Sequence, residues 1–241
     1  MASLDWSVDV RAAIAEFLAT GCFLFLSLGT GSIESNALTV ALVFGTTVAV
    51  CVYAAMHYNA GQLNPLVTVA LAVTKHVPVA QAIVNVLMQF LAAVVAGALV
   101  LLTIPEDRVG DLAANKVQDD FTAGNAFAGE VVGGFILQFV VFETVLNSKH
   151  KAGRMGPLAV GLAVFAIHAV MIPVDNCCLN PARAFGPALL KEEWEDFWVF
   201  VFGPVIGGLL AIVPHVLLSE DYNLLQRFTL SGDTSKPTSD V

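Results

Sequence analysis

Charge is what this sequence most lacks. Only 13% of its 241 residues are charged, while 57% are hydrophobic; soluble domains carry about 25% charged residues. So little charge excludes a single water-soluble core and makes a lipid bilayer the expected solvent. Basic residues are the scarcer kind, 11 Lys and Arg against 20 Asp and Glu, for a net charge of −9. No basic patch of the sort nucleic acid requires is present, so no nucleic-acid partner is expected. The chain also lacks a Gly-rich phosphate loop, a nucleophile beside a base, and a His/Asp/Glu cluster at metal spacing. Enzyme chemistry, a cofactor and a metal are therefore not expected. Its four cysteines, Cys22, Cys51, Cys177 and Cys178, form no C-x-x-C pair. Three of them lie in or beside apolar runs and read as small core residues.

Long apolar runs are what the chain has in abundance. Six can be marked, at about 10–29, 38–56, 80–103, 128–146, 157–171 and 197–218. A helix needs about 20 apolar residues to cross the hydrocarbon, and backbone groups in lipid must be satisfied within the segment, so these runs predict membrane-spanning helices. The first is too long for a signal-peptide core and lacks a clear cleavage site, which makes it a retained span. The fifth is a little short, which either limits its tilt or ends it at Pro173. Lys149, Lys151 and Arg154 mark one link, and Lys75 another, as cytoplasmic by the positive-inside rule, and both termini follow them to that side. The acidic link at about 105–120 and the polar segment 219–241 read as a solvated connection and a tail.

Three landmarks recur at nearly constant spacing. Glu16 and Glu130 are 114 positions apart, Gln89 and Pro204 are 115 apart, and the Asn64-Pro65 and Asn180-Pro181 pairs are 116 apart. The chain is therefore two related halves of three spans each, at about 10–105 and 123–218. An odd number of crossings inserts the second half upside down, which makes an inverted repeat.

Each Asn-Pro is followed by an apolar stretch of about ten residues, too short to cross a bilayer. Asn is a favoured N-cap and Pro a favoured first helical residue. The spacing predicts two half-membrane helices that start from opposite faces and meet near the midplane. Their starts bring partial positive charge together, and the two carboxamides offer donors there. Such a place suits a neutral solute and opposes cations.

On these residues the chain resembles the aquaporins of the major intrinsic protein family. The resemblance rests on Ala15–Thr20, on HYNAGQLNPLVT at 57–68, on CCLNPARAFGP at 177–187 and on the last span around 203–208. It implies an all-α membrane protein with six transmembrane helices and two re-entrant half-helices, channel-forming over about 10–218. It also implies a pore in every subunit of a homotetramer, with residues 1–9 and 219–241 in the cytoplasm. The resemblance carries the family's selectivity constriction onto Phe44, His168, Cys177 and Arg183, the pore midplane onto Asn64 and Asn180, and the bracing of the two re-entrant loops onto Glu16 and Glu130. His57 is a further candidate brace. Two departures are Leu66, where the family has Ala, and Cys178, where many members have Gly.

Water is the permeant this constriction implies, in the plasma membrane. His168 and Ala184 stand where glycerol-conducting relatives have a smaller residue and an Asp. A broader channel for glycerol, ammonia, hydrogen peroxide or carbon dioxide is the alternative. A secondary transporter would need acidic residues facing its substrate, and a junction protein would have no need of Asn64, Asn180 and Arg183.

Overall fold

The computed structural model describes residues 7–58, 61–146 and 155–218, and every regular element among them is helical. Helix α1 (Val10–Ile33) begins where the Asp9 carboxylate accepts from the Arg11 and Ala12 N–H groups, satisfying donors that the first turn leaves open. Helix α2 (Ala37–Ala55) is capped by Asn36 and ends in a 3₁₀ turn, Met56–Tyr58. A short helix α3 (Pro65–Val73) follows, then α4 (Val79–Thr103) and a single turn, α5 (Glu106–Val109). The second half repeats this order. Helix α6 (Ala123–Val141) opens on a reciprocal cap between Thr122 and Asn125 and runs into a π turn, Phe142–Leu146. It is followed by α7 (Gly156–Asp175), the short α8 (Pro181–Lys191), and α9 (Phe197–Leu210) with α10 (Ile212–Leu218).

Six helical stretches are long and apolar enough to span a bilayer, and they match the six apolar runs. Their ends differ from expectation in two places. Helix α1 runs on to Ile33, where Thr30 and Ser32 hydroxyls turn back onto the carbonyls of Leu26 and Leu28. Helix α7 does not stop at Pro173. A proline in the last turn removes only one main-chain hydrogen bond, and the helix closes at Asn176, which adopts φ 62° and donates its N–H to Ile172 O. The basic link at 147–154 and the segment 219–241 lie outside the described residues.

The bundle exposes large apolar side chains and buries a set of polar ones within its apolar core. Leu102 is 81% exposed on α4, whereas the side chains of Glu16, Gln89, Asn85 and Glu130 are fully buried. That inversion suits a chain whose surroundings are hydrocarbon, because buried polar groups then find partners only inside the protein.

The two halves pack as an interlocked pair. The α1·α4 contact has its counterpart in α6·α9, and α4·α8 has its counterpart in α3·α9. The contacts α2·α7 and α3·α8 join related elements to each other, as elements beside a two-fold pseudo-axis must. Each half-helix thus lies against a spanning helix of the other half. Glycines set the closeness of these crossings. A Cβ on Gly45 would stand 2.5 Å from Gly161 O, and one on Gly134 would stand 2.5 Å from Pro204 O. Small residues let backbones approach where packing alone drives association. Because α2 and α7 touch at Gly45 and Gly161, the neighbouring Phe44 and His168 face each other across that seam.

Candidate functional site

Asn64 and Asn180 do two jobs with one side chain. Asn64 Oδ1 accepts from Leu66 N–H at 2.9 Å and Asn180 Oδ1 accepts from Ala182 N–H at 3.0 Å, so each oxygen caps its own half-helix. The nitrogens reach across the pseudo-axis: Asn64 Nδ2 donates to Leu179 O and Asn180 Nδ2 donates to Leu63 O, both at 2.8 Å. With both oxygens taken, what each carboxamide has left is its second N–H. The two residues lie on the wall of one cavity of about 270 Å³. The remainder of that wall is largely aliphatic, including Val48, Val52, Val67, Leu71, Val141 and Val164.

This pairing depends on two leucines in an unfavourable conformation. Leu63 and Leu179 adopt φ of 57° and 53°, the left-handed region that side chains with a Cβ avoid. They are held there by the two buried carboxylates. Glu16 accepts from Gly61 N–H at 2.8 Å, Gln62 N–H at 3.1 Å and Leu63 N–H, and also from Gln89 Nε2 at 2.7 Å. Glu130 accepts from Cys178 and Leu179 N–H, both at 2.7 Å. The arrangement is related by the repeat but unequal, with four donors on one carboxylate and two on the other. His57 takes no part in it: the residue is exposed in the middle of the 3₁₀ turn, tilted against Tyr58.

Beyond the midplane, Phe44 and His168 stack with ring centroids 4.4 Å apart, and the Arg183 Cζ lies 5.5 Å from the Phe44 centroid. His168 Nδ1 is 2.9 Å from Val164 O. A carbonyl only accepts, so Nδ1 carries the proton and Nε2 of a neutral ring is an acceptor. That Nε2 and Arg183 Nε are buried atoms without a protein partner. One acceptor and one donor are thus left beside the stacked rings. Cys177 is fully buried and gives its N–H to Asp175 Oδ1 at 2.9 Å; neither it nor Arg183 is among the residues lining the cavity of about 270 Å³, which reaches Phe44 and His168.

The two departures from the family pattern are absorbed by packing. Leu66 sits against Gly134 and Gly208, where any Cβ would collide with it, and it is not on the cavity wall. Cys178 does contribute to the wall, while its Sγ lies 3.2 Å from Asn180 O and 3.4 Å from Phe200 O.

The acidic link is not merely a solvated connection. Leu112, Ala114 and Asn115 are buried. Arg183 donates from Nη1 to Asn115 Oδ1 and from Nη2 to Asn176 O at 3.2 Å, while Asn115 Nδ2 donates to Asp175 O at 3.2 Å. Asn176 in turn donates to Ala114 O at 2.9 Å. Reading the link by its charge concealed Asn115, because nothing local tells which polar residue of a loop turns inward. Gln62 was also missed, although its position two residues before Asn64 was a usable signal.

The family model described as Major intrinsic protein matches residues 3–215. Among curated proteins the chain is 36% identical to "Probable aquaporin PIP2-7" of Oryza sativa subsp. japonica, over 95% of this chain and 87% of that one. It is 32% identical to "Aquaporin-4" of Homo sapiens, over 83% of this chain and 65% of that one. Among solved structures the fold is similar to the aquaglyceroporin from Plasmodium falciparum, with a TM-score of 0.78 and 20% identity over 91% of this chain and 99% of that one.

Proposed function

Because the chain belongs to the major intrinsic protein family, an integral membrane channel family and not a family of enzymes, we propose that it is a passive water channel that excludes protons, ions and polyols. The observation that carries this reading is the ring of Phe44, His168 and Arg183. Rings stacked at 4.4 Å with a guanidinium 5.5 Å from one of them leave little room beside the unpaired Nε2 and Nε atoms. A three-carbon polyol would have to part them. A water molecule needs one donor and one acceptor, which is what the ring offers.

At the midplane the chemistry changes from mixed to donor-only. A water passing Asn64 and Asn180 accepts from both remaining N–H groups, so both its hydrogens turn away along the passage. Neighbouring waters on either side are then oriented oppositely, and a proton cannot be handed through. The converging starts of α3 and α8 add positive potential at the same point. Arg183 adds a fixed charge of the same sign, and both oppose cations.

The same reading extends to a homotetramer in the plasma membrane with both termini in the cytoplasm, supported by the lysines and arginine of the 147–154 link. The likeness to an aquaglyceroporin concerns the fold alone and does not favour glycerol. Proteoliposomes in a stopped-flow osmotic assay test the proposal. Fast shrinkage against an impermeant solute is expected, with no glycerol flux and no conductance in planar bilayers. Glycerol entry at a rate comparable with water would overturn the selectivity; a steady current would overturn the exclusion of ions.

A further inference from the structure

Gln62 lies on the cavity wall beside the midplane, and a buried chain of amides ties it to the far end of α1. Its Oε1 accepts from Asn85 Nδ2 at 3.1 Å and from Thr68 Oγ1 at 2.8 Å. Asn85 is fully buried on α4, and its Oδ1 accepts from Gln81 Nε2 at 2.7 Å, one helical turn earlier. Gln81 Oε1 accepts from the main-chain N–H of Asp9 at 2.7 Å, and Gln81 Nε2 is 3.4 Å from Asp9 O. Asp9 is the N-cap of α1.

A carboxamide on its own can be turned end for end, since its nitrogen and oxygen have similar shapes. This chain cannot. The main-chain N–H of Asp9 only donates and its carbonyl only accepts, which fixes Gln81. Gln81 must then donate to Asn85, and Asn85 must donate to Gln62. Thr68 does not decide the matter, because its hydroxyl is also 3.1 Å from Asn64 O and has that carbonyl as an alternative acceptor. The direction of the whole chain is set by the backbone N–H and carbonyl of one residue, Asp9, 72 positions from Gln81 in sequence.

We propose that Gln62 is a further specificity-determining residue, presenting the donors of its Nε2 to the permeant's oxygen, and that Gln81 and Asn85 are positioning residues that hold it in that sense. The proposal rests on the water-channel reading of the same cavity and deepens it. The oxygen of Gln62 is occupied behind the wall, as are those of Asn64 and Asn180. Three successive carboxamides therefore offer donors alone, and the stretch in which water keeps one orientation extends beyond the two half-helix starts. Reversed, Gln62 would put a partial negative charge beside those starts, disturbing the order of water and relieving the barrier to cations.

Gln81→Glu tests the idea without touching the cavity wall. A carboxylate cannot donate, so Asn85 turns to give it an N–H, its oxygen meets Gln62, and Gln62 reverses. Asn85→Asp reverses Gln62 by the same logic and guards against a folding defect peculiar to the first variant. Either change is expected to lower water permeability roughly two- to tenfold, the range of one net hydrogen bond. In a Gln62→Leu background, Gln81→Glu is expected to change nothing further, because contacts acting through a shared partner are not additive. An equal loss in both backgrounds, or none in either, overturns the proposal. A second arm does not depend on flux: water-contact NMR of side-chain amides in bilayers. There the Gln62 NH₂ exchanges magnetisation with water in the parent protein and loses that contact in Gln81→Glu; retention of the contact overturns the proposal. Parent vesicles that fail to pass water would refute the proposed permeant, and the NMR arm would still decide the orientation of Gln62.

Discussion

The two bracing carboxylates should differ in what their removal costs, and the hydrogen bonds say by how much. Glu16→Ala takes the acceptor from the buried Leu63 N–H, from one of the two N–H groups of buried Gln89 Nε2, whose other partner is Thr68 Oγ1, and from the part-buried N–H groups of Gly61 and Gln62. Glu130→Ala leaves two buried donors without one, the N–H groups of Cys178 and Leu179. An unsatisfied buried donor costs about 1–3 kcal/mol, so the two buried donors on each carboxylate put about 2–6 kcal/mol on either variant, and the two part-buried donors add a smaller penalty for Glu16. Against the stability of a typical domain, about 5–15 kcal/mol, both losses are large, and that of Glu16 is the larger. Leu63 and Leu179 would also be released from their left-handed conformations, and each asparagine would lose the carbonyl its Nδ2 now contacts across the axis. Thermal unfolding in detergent, followed by loss of the monodisperse peak, should order the proteins as parent above Glu130→Ala above Glu16→Ala. Glutamine substitutions should fall between, because a carboxamide keeps one accepting oxygen while turning its NH₂ against a donor. If Glu130→Ala proves as damaging as Glu16→Ala, counting donors is the wrong basis for the asymmetry.

Replacing both His168 and Arg183 with small residues should open the ring to glycerol by at least about tenfold over the parent, since a hydrogen-bonding ring discriminates through buried groups that a misfit leaves unpaired; unchanged glycerol exclusion in a swelling assay would remove these residues from the constriction. Gly45→Leu should destabilise the protein by about 1–3 kcal/mol through overpacking at the α2·α7 crossing and should lower water flux by parting Phe44 from His168; parent-like unfolding would contradict the packing argument. Asn115→Ala should leave folding nearly intact but free the Arg183 guanidinium from one of its anchors, changing water flux several-fold while Asn115→Gln restores part of it; flux unchanged in both would show that Asn176 O alone suffices.

Much of the architecture is legible without coordinates. The lack of charge and the six apolar runs determine the solvent, and the recurrence of Glu16, Asn64 and Gln89 as Glu130, Asn180 and Pro204 determines an inverted pair of halves. The half-helices are legible too, since Asn-Pro sets an N-cap and a first turn locally, and the structure starts α3 and α8 at Pro65 and Pro181. The resemblance singled out Phe44, His168, Cys177 and Arg183 by position; the seam between Gly45 and Gly161 brings Phe44 and His168 together, and Arg183 reaches them from α8.

What the tertiary structure alone decided are the partnerships between distant residues. Asn180 donates to Leu63, 117 positions away, and Arg183 holds Asn115, 68 positions away. Asn85 and Gln81 carry no pattern that separates them from any other amide in an apolar segment. His57 stood near the motif and yet turned outward, while Asn115 stood in an acidic link and turned inward. The physical reason is that helix starts, spans and repeats are set by interactions within a few residues and by the solvent. The direction of an amide, or which donor a buried carboxylate meets, is set by whatever lies opposite when two inverted halves close on each other.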